Sequence, residues 1–282
     1  MKKLITRALS GLVFITIVIG AIFLGQYAHA ILFLFVSIGC MIEFYTALIN
    51  KGVDINIKIG VIVGTIIYAT IISVALFNGS FASLLITIPV LFLIWILQLW
   101  QKNQKPFETI SYTLCGAIYI AVPLALTIHV AKPMFLTTTV TQLAYYPFIM
   151  LGVMVLQWVS DTFAYLTGIC IGKHPLFKRH SPKKSWEAFV GGFLFCVLAG
   201  YLIGTYVDTP FDKVDWIVMS IMIPPIGTLG DLVESMFKRS MDIKDTGNIM
   251  PGHGGVMDRF DSCIFVAPAL YCILKLASEF MA

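Results

Sequence analysis

Charged residues are scarce in this sequence of 282 residues, because Asp, Glu, Lys and Arg together make up only 12% of it. An average soluble domain carries about 25% charged and about 45–50% apolar residues, whereas 59% of this chain is hydrophobic. A soluble fold of this size leaves roughly a quarter of its unfolded surface exposed to water. The composition therefore argues against a soluble protein and predicts an integral membrane protein.

Closely spaced cysteine pairs are also lacking. The six cysteines lie far apart in the chain, and zinc and redox motifs need pairs separated by only a few residues. We interpret all six as small apolar packing residues. The excess of basic residues does not indicate nucleic acid, because these residues lie in short loops between apolar runs and form no basic face on a soluble domain.

Repeats, linkers and low-complexity tracts are absent. We predict an all-α fold: residues 1–282 form a single membrane domain, with N-terminal helices at about 1–145 and a catalytic half at about 146–282. A helix needs about 20 apolar residues to cross a membrane. Such runs predict a bundle of about nine spans, at 8–25, 28–49, 59–78, 81–100, 108–130, 146–171, 187–207, 215–237 and 262–280.

The basic residues predict the orientation of these spans. With the N-terminus in the cytoplasm, every Lys and Arg except Lys132, Lys213 and Lys275 falls on the cytoplasmic side, in agreement with the positive-inside rule. The first apolar run imitates a signal peptide, but its length of about 18 residues exceeds the roughly 7–15 of a signal core. We expect it to be retained as a span.

The acidic residues inside predicted spans include Glu43, Asp161, Asp231 and Glu234. Each costs on the order of 2.5–3.5 kcal/mol to insert, so such groups usually face a cavity or a partner. The helical rise places Asp231 and Glu43 near cytoplasmic helix ends, which predicts a pocket open to the cytoplasm. For Glu43, a hydrogen-bonded helix contact near the interface is an equally good interpretation.

The eighth span contains Pro224 and Pro225, which remove two backbone donors, and glycines follow at 227 and 230. These residues predict a helix broken near the prolines. Broken helices at membrane depth often line a cavity or an ion site.

The stretch that follows this span combines basic residues and glycines. Its bases can bind phosphate oxygens, and its glycines allow backbone amides to approach phosphate closely. These residues are Lys238, Arg239, Lys244, Arg259, Gly252, Gly254 and Gly255.

Carboxylates accompany these bases. Asp231, Asp258 and Asp261 offer the hard oxygen ligands that Mg²⁺ prefers, and substrate phosphates usually complete its shell. Two carboxylates from separate segments can hold a pair of metal ions. This pattern predicts phosphoryl chemistry that needs one or two Mg²⁺ ions.

A second cytoplasmic loop, about 172–186, is rich in cations and includes Ser181, Lys183 and Lys184. It can bind a triphosphate or a lipid phosphate. The alternative for both loops is a solvated basic segment beside anionic lipid headgroups. The acids, glycines and histidine woven among the bases of the first loop favour the functional interpretation.

The segment from Ser235 to Asp261 resembles the signature of the phosphatidate cytidylyltransferase family. It begins Ser-x-x-Lys-Arg, continues with Lys244-Asp245, and ends Pro-x-His-Gly-Gly-x-x-Asp-Arg-x-Asp. Three further stretches are similar to other characteristic parts of the family: Ser160-Asp161-Thr, Ser181-Pro-Lys-Lys-Ser-Trp-Glu187 and Gly230-Asp231-Leu-x-Glu234.

The resemblance implies a magnesium-dependent transfer of CMP from CTP to phosphatidic acid, with release of pyrophosphate, at the cytoplasmic face of the cell membrane. Metal ligands are implied at Asp231 and Asp258, and catalytic roles at Lys238, Arg239 and Arg259. The substrate-binding residues expected beside them are Asp161, Ser181, Lys183, Lys184, Lys244, Asp245, His253, Gly254, Gly255 and Asp261.

Two other functions fit parts of the pattern. A CTP-dependent lipid kinase of the polyprenol type would transfer the terminal phosphate, and an ion-coupled secondary transporter would use a broken eighth helix. Two GxxxG patterns, Gly60 to Gly64 and Gly200 to Gly204, are explained either by internal packing or by a homodimer.

Overall fold

The structure is a computed structural model that describes residues 2–77, 81–132, 144–249 and 254–281. Helices dominate it, which confirms the predicted all-α class. The N-terminal elements are α1 (Lys2–Phe23), α2 (Gln26–Asn50), α3 (Ile57–Leu76), a 3₁₀ turn (Phe81–Ile86), α4 (Thr87–Gln98), α5 (Pro106–Gly116), a π turn (Ala117–Ala121) and α6 (Val122–Ala131). The C-terminal elements are α7 (Pro147–Ile171), β1 (Pro175–Phe177), β2 (Ser181–Ser185), α8 (Trp186–Tyr206), α9 (Lys213–Ser240) and α10 (Met257–Met281).

Six helical segments in the described ranges are long and apolar enough to cross a membrane: Gln26–Asn50, Ile57–Leu76, Pro106–Ala131, Pro147–Ile171, Trp186–Tyr206 and Lys213–Ser240. Shorter apolar helices, Leu9–Phe23 and Ala82–Gln98, lie at the predicted first and fourth spans. The polytopic helical membrane fold is thus confirmed, and the count of nine spans stays a prediction.

Local sequence signals explain where several helices begin. The side chain of Asn56 accepts the N–H of Lys58 at 3.1 Å and so caps α3. Pro106 and Pro147 occupy the first turns of α5 and α7, where the missing N–H of proline costs no helical hydrogen bond. Gly25, with a φ of 112°, separates α1 from α2, and such a positive φ favours glycine.

The eighth predicted span is one continuous helix, so the predicted break near the two prolines is wrong. α9 runs through Pro224 and Pro225 without interruption. Burial of the residues before the prolines explains this, because Trp216 and Ile223 are buried in a core cluster and Pro224 is itself buried. Packing of this kind lets a membrane helix tolerate the loss of two backbone donors.

The chain divides into two compact units, which are described separately. The N-terminal unit comprises Met1–His129 and Ser240–Phe260, and the C-terminal unit comprises Val130–Arg239 and Asp261–Ala282. The segment that joins α9 to α10 therefore groups with the N-terminal helices. A single membrane domain whose halves divide near residue 145 stays a prediction.

The GxxxG glycines face neighbouring residues of their own unit. A Cβ at Gly60 would lie 2.5 Å from the Tyr45 ring, and one at Gly64 would lie 2.2 Å from the Met41 sulfur. A Cβ at Gly200 would lie 2.4 Å from Ser220. The glycines thus permit close internal packing, as one of the two interpretations predicted, and a homodimer stays a prediction.

The core of the C-terminal unit joins helices α7 to α10. Its buried residues include Ile149, Leu156, Cys196, Trp216 and Leu270. All six cysteines are free, and Cys40, Cys196 and Cys263 are buried as the packing interpretation predicts, whereas Cys115, Cys170 and Cys272 are exposed. This core supports the ends of α9 and α10 that carry the acidic residues.

The cation-rich loop after α7 forms a short antiparallel β-hairpin that the sequence did not predict. Pro175 pairs with Ser185, and Phe177 pairs with Ser181. The strands of this hairpin (residues 175–185) are only three and five residues long, and their charged residues give no apolar alternation. Periodicity therefore could not reveal them.

Candidate active site

Three carboxylates of the C-terminal unit come together where α9 meets α10. Asp231 and Glu234 are three residues apart and share one face of α9, and Asp261 lies on α10. One oxygen from each of the three lies within 4.8 Å of the others. These residues are called the carboxylate cluster below. Oxygen atoms at this spacing are the donor set that a divalent cation such as Mg²⁺ prefers.

Glycine allows the two helices to approach at this point. A Cβ at Gly230 would lie 2.9 Å from the carbonyl oxygen of Asp261, which is closer than real Cβ contacts come. One turn earlier, the hydroxyl of Ser262 donates to the carbonyl oxygen of Gly227 at 3.2 Å. The glycine next to Asp231 is therefore a requirement of the cluster geometry.

Two lysines balance the negative charge of the cluster. Lys184 forms an ion pair with Asp231, and the ammonium of Lys238 lies 2.5 Å from a carboxylate oxygen of Glu234. Glu234 is fully buried, so its charge depends on such partners. Three carboxylates and two ammonium groups leave a net negative charge, which favours a cation.

A cavity of about 500 Å³ opens beside the cluster. Both polar and apolar side chains line it. The lining includes Asp161, Asp231, Lys183, Lys184, Tyr165, Phe189 and Thr228. The cavity can therefore receive a ligand that carries both anionic and apolar groups.

The hairpin that supplies Lys184 is fixed at its base to α8. The Glu187 carboxylate accepts the backbone N–H groups of Lys173 and His174, at 3.1 and 3.2 Å, and lies 2.5 Å from the His174 ring. The side chain of Ser185 caps α8 by accepting the N–H of Ala188 at 3.2 Å. The hairpin is thereby held so that Lys184 contacts Asp231.

The described residues between α9 and α10, 241–249 and 254–256, are called the signature loop below, and they belong to the N-terminal unit. Asp258 follows it and accepts the backbone N–H of Gly255 at 2.7 Å and that of Thr246 at 3.1 Å. Gly254 has a φ of 89°, which favours glycine. At the start of the loop, the Lys51 ammonium donates to Asp242 and holds its pKa below the usual value.

The predicted site residues divide between the two units. The C-terminal unit contains Asp161, Ser181, Lys183, Lys184, Asp231, Lys238, Arg239 and Asp261. The N-terminal unit contains Lys244, Asp245, Gly254, Gly255, Asp258 and Arg259. His253 lies outside the described residues. The two predicted metal ligands, Asp231 and Asp258, thus belong to different units.

Two acidic residues were not fully predicted from the sequence. Glu234 is recognisable as a polar residue of α9 but was not predicted as a ligand, although its spacing of three from Asp231 was a usable signal. For Glu43 two interpretations were open, and the structure shows a buried, hydrogen-bonded carboxylate. No local pattern could identify the partners of Glu43, because they lie more than 200 residues away.

The fold and the cluster define a class: a polytopic helical membrane protein with a cluster of acidic residues that can hold a metal ion, beside a cavity lined by polar and apolar side chains. The chain belongs to the cytidylyltransferase family, whose model matches residues 5–277. The resemblance stated from the signature is thereby confirmed.

Curated relatives carry the name phosphatidate cytidylyltransferase. The protein of Bacillus subtilis (strain 168) is 34% identical over 177 residues, which cover 63% of this chain and 62% of the relative. The protein of Staphylococcus aureus (strain COL) is 39% identical over 177 residues, which cover 62% of each chain. The matched part thus spans about 62% of the length of these relatives.

Proposed function

We propose that this protein transfers CMP from CTP to phosphatidic acid and releases pyrophosphate, with CDP-diacylglycerol as the lipid product. Membership of the cytidylyltransferase family and the names of the relatives support this activity. The observation that carries the proposal is the carboxylate cluster with its two lysines, beside a cavity with polar and apolar walls. Such a site suits two substrates of which one carries a polyphosphate and the other is a lipid.

The cluster fits Mg²⁺, because three carboxylate oxygens converge within 4.8 Å and Mg²⁺ prefers hard oxygen ligands. We propose that Asp231, Glu234 and Asp261 hold it. Bound Mg²⁺ would screen the repulsion between the two anionic substrates and stabilise charge on the transferred phosphoryl group. Asp258 stays the proposed ligand of a second metal ion.

The basic residues would bind the phosphate groups. Lys184 now neutralises Asp231, and a substrate phosphate can take over as its partner. Lys183 lines the same cavity. The further cations proposed for the phosphates and the pyrophosphate are Lys238, Arg239, Lys244 and Arg259.

The reaction needs one bond to form and one to break. An anionic oxygen of the phosphatidate phosphate forms a bond with the α-phosphorus of CTP. The bond between the α-phosphorus and the oxygen bridging to the β-phosphate breaks, and pyrophosphate leaves with that electron pair. The attacking oxygen is already anionic, so no residue has to remove a proton. Catalysis of this kind depends on positioning and electrostatics.

Isotope labelling tests the proposal. Purified protein receives Mg²⁺, phosphatidic acid and CTP labelled at either the α or the γ phosphorus. Lipid that carries the α label supports CMP transfer. Lipid that carries only the γ label identifies the lipid kinase, and ion flux in proteoliposomes without consumption of CTP identifies the transporter.

A further inference from the structure

Glu43 is an acidic residue in the C-terminal third of α2 that is only 4% exposed. Its carboxylate lies against the signature loop, within the N-terminal unit. One oxygen accepts the backbone N–H of Val256 at 2.8 Å, and the other accepts the N–H of Met257 at 2.9 Å. The second oxygen also accepts the hydroxyl of Thr246 at 3.1 Å. One side chain therefore holds the loop at Thr246 and at its C-terminal end.

These hydrogen bonds explain why a carboxylate occupies this position. The N–H groups of Val256 and Met257 lie at the start of α10, and the first N–H groups of a helix have no partner within the helix. A negative charge at a helix N-terminus also interacts favourably with the helix dipole. An amide could not replace both acceptor oxygens, because one of its ends can only donate.

Two glycines of the loop allow its backbone to approach this side chain closely. A Cβ at Gly247 or at Gly255 would lie 2.4 Å from a carboxylate oxygen of Glu43. The Cβ at Gly255 would also lie 2.4 Å from the Thr246 hydroxyl. The loop thus passes close to Glu43 at Gly247 and at Gly255, and only glycine permits that approach.

Thr246 connects Glu43 to Asp258. Its hydroxyl donates to Glu43, while its backbone N–H donates to Asp258. Gly255, which closes over Glu43, also donates its N–H to Asp258. Thr246, which is hydrogen-bonded to Glu43, and Gly255, which lies against it, therefore orient the Asp258 carboxylate.

We propose that Glu43 is a positioning residue for turnover: it holds the signature loop in the conformation that orients Asp258. This inference rests on the proposed function, in which Asp258 acts at the reacting phosphates. Glu43 itself touches loop residues of its own unit and is assigned no contact with a substrate.

The test replaces Glu43 by Gln and by Asp, and Thr246 by Val. Glu43→Gln keeps the shape but loses one acceptor, and we expect kcat per folded molecule to fall roughly 100-fold, the cost of a displacement of about 1 Å at a reacting group. Glu43→Asp keeps the charge and should restore part of this loss. Thr246→Val removes one hydrogen bond to a charged group, and we expect a fall of roughly 10-fold.

Ser37→Ala is the matched control. Ser37 lies on the same helix and is fully buried, and its hydroxyl has no hydrogen-bond partner among the described residues. This variant should leave kcat unchanged. A similar loss of kcat in Ser37→Ala would show that α2 responds to any change, and would overturn the proposal.

Hydrogen–deuterium exchange of the purified chain separates positioning from general stability. In Glu43→Gln we expect the amides of Thr246, Val256 and Met257 to exchange faster, while peptides of α3 and α7 keep their protection. Unchanged exchange in the loop, or faster exchange throughout the chain, overturns the proposal. If the wild-type protein forms no CDP-lipid, the proposed function fails, and the exchange experiment alone decides whether Glu43 holds the loop.

Discussion

At the scale of single residues, buried charge decides where the chemistry lies. Glu234 is fully buried with Lys238 beside it, and Asp231 is paired with Lys184. A buried carboxylate persists only if a cation or hydrogen-bond donors compensate it. We therefore propose that the carboxylates pair with lysine when the substrates are absent and with a metal ion when they bind, while the lysines then pair with phosphate.

Glu234→Gln should weaken Mg²⁺ binding. We expect the Mg²⁺ concentration for half-maximal activity to rise roughly 10- to 100-fold, a typical cost of perturbing a metal site. Mg²⁺ should raise the unfolding temperature of the wild-type protein, because a ligand that binds the folded state stabilises it, and the variant should lose most of this increase. An unchanged Mg²⁺ dependence would remove Glu234 from the site.

Asp258→Asn should lower turnover by at least roughly 100-fold, the scale of losing one important electrostatic group. The variant should still insert into the membrane. The exposed Asp208 provides the matched control, and Asp208→Asn should behave like the wild-type protein in the same CTP assay. Near-normal turnover of Asp258→Asn would reject its assignment to the reaction.

Lys184→Gln should lower kcat/KM for CTP by roughly 10- to 100-fold, the value of a hydrogen bond to a charged group. Lys178 lies on the same hairpin, is exposed and does not line the cavity. Lys178→Gln should therefore leave kcat/KM within about twofold of the wild-type value, a change well below the tenfold that 1.4 kcal/mol produces. Equal effects of the two changes would mean that the hairpin acts only through its total charge.

At the scale of the elements, packing preserves α9 where its sequence predicts a break. Proline removes a backbone donor, and in a soluble helix it costs about 3 kcal/mol. The helix continues through Pro224 and Pro225 because residues before and after them are buried. The prolines therefore weaken α9 without interrupting it.

Pro225→Ala restores one backbone donor to α9. We expect the unfolding temperature to stay the same or rise by a few degrees, since about 1 kcal/mol shifts it by roughly 2–4 °C in a chain of this size. Differential scanning fluorimetry in detergent measures this change. A clear decrease would show that the helix needs the shape that proline imposes.

Short-range sequence patterns could predict the elements but not their partners. Apolar runs located the helices, and the sequence singled out Asp231 and Asp261, which the structure brings together with Glu234. The contact of Glu43 with Thr246 joins residues 203 positions apart, which no local periodicity encodes. The hairpin was not predicted because its strands are short and charged. A break was predicted at Pro224 because the prolines themselves do not reveal whether the surrounding helix is buried.

At the scale of the whole molecule, the distribution of basic residues predicts that the hairpin and the signature loop lie on the cytoplasmic side. That side is the one where CTP is available. The six apolar segments agree with a membrane protein, and the side on which its site lies is a proposal.

Cysteine labelling tests this orientation. Lys178→Cys is placed in a chain whose six cysteines are replaced by Ala or Ser, and a membrane-impermeant maleimide is added. We expect labelling in inverted vesicles and none in intact cells. Labelling in intact cells would place the hairpin on the outer side and contradict the proposed access to CTP.

The hydrogen bonds from Thr246 and Met257 to Glu43 also have a consequence for expressing the chain as two separate polypeptides. A polypeptide that starts near residue 130 would keep the four stretches that resemble the family, yet it would lack Glu43, whose side chain holds the signature loop at Thr246 and beside Met257. We expect such a fragment to be inactive alone. Its function should return when the first 129 residues are co-expressed as a separate chain, provided that the two pieces assemble in the membrane.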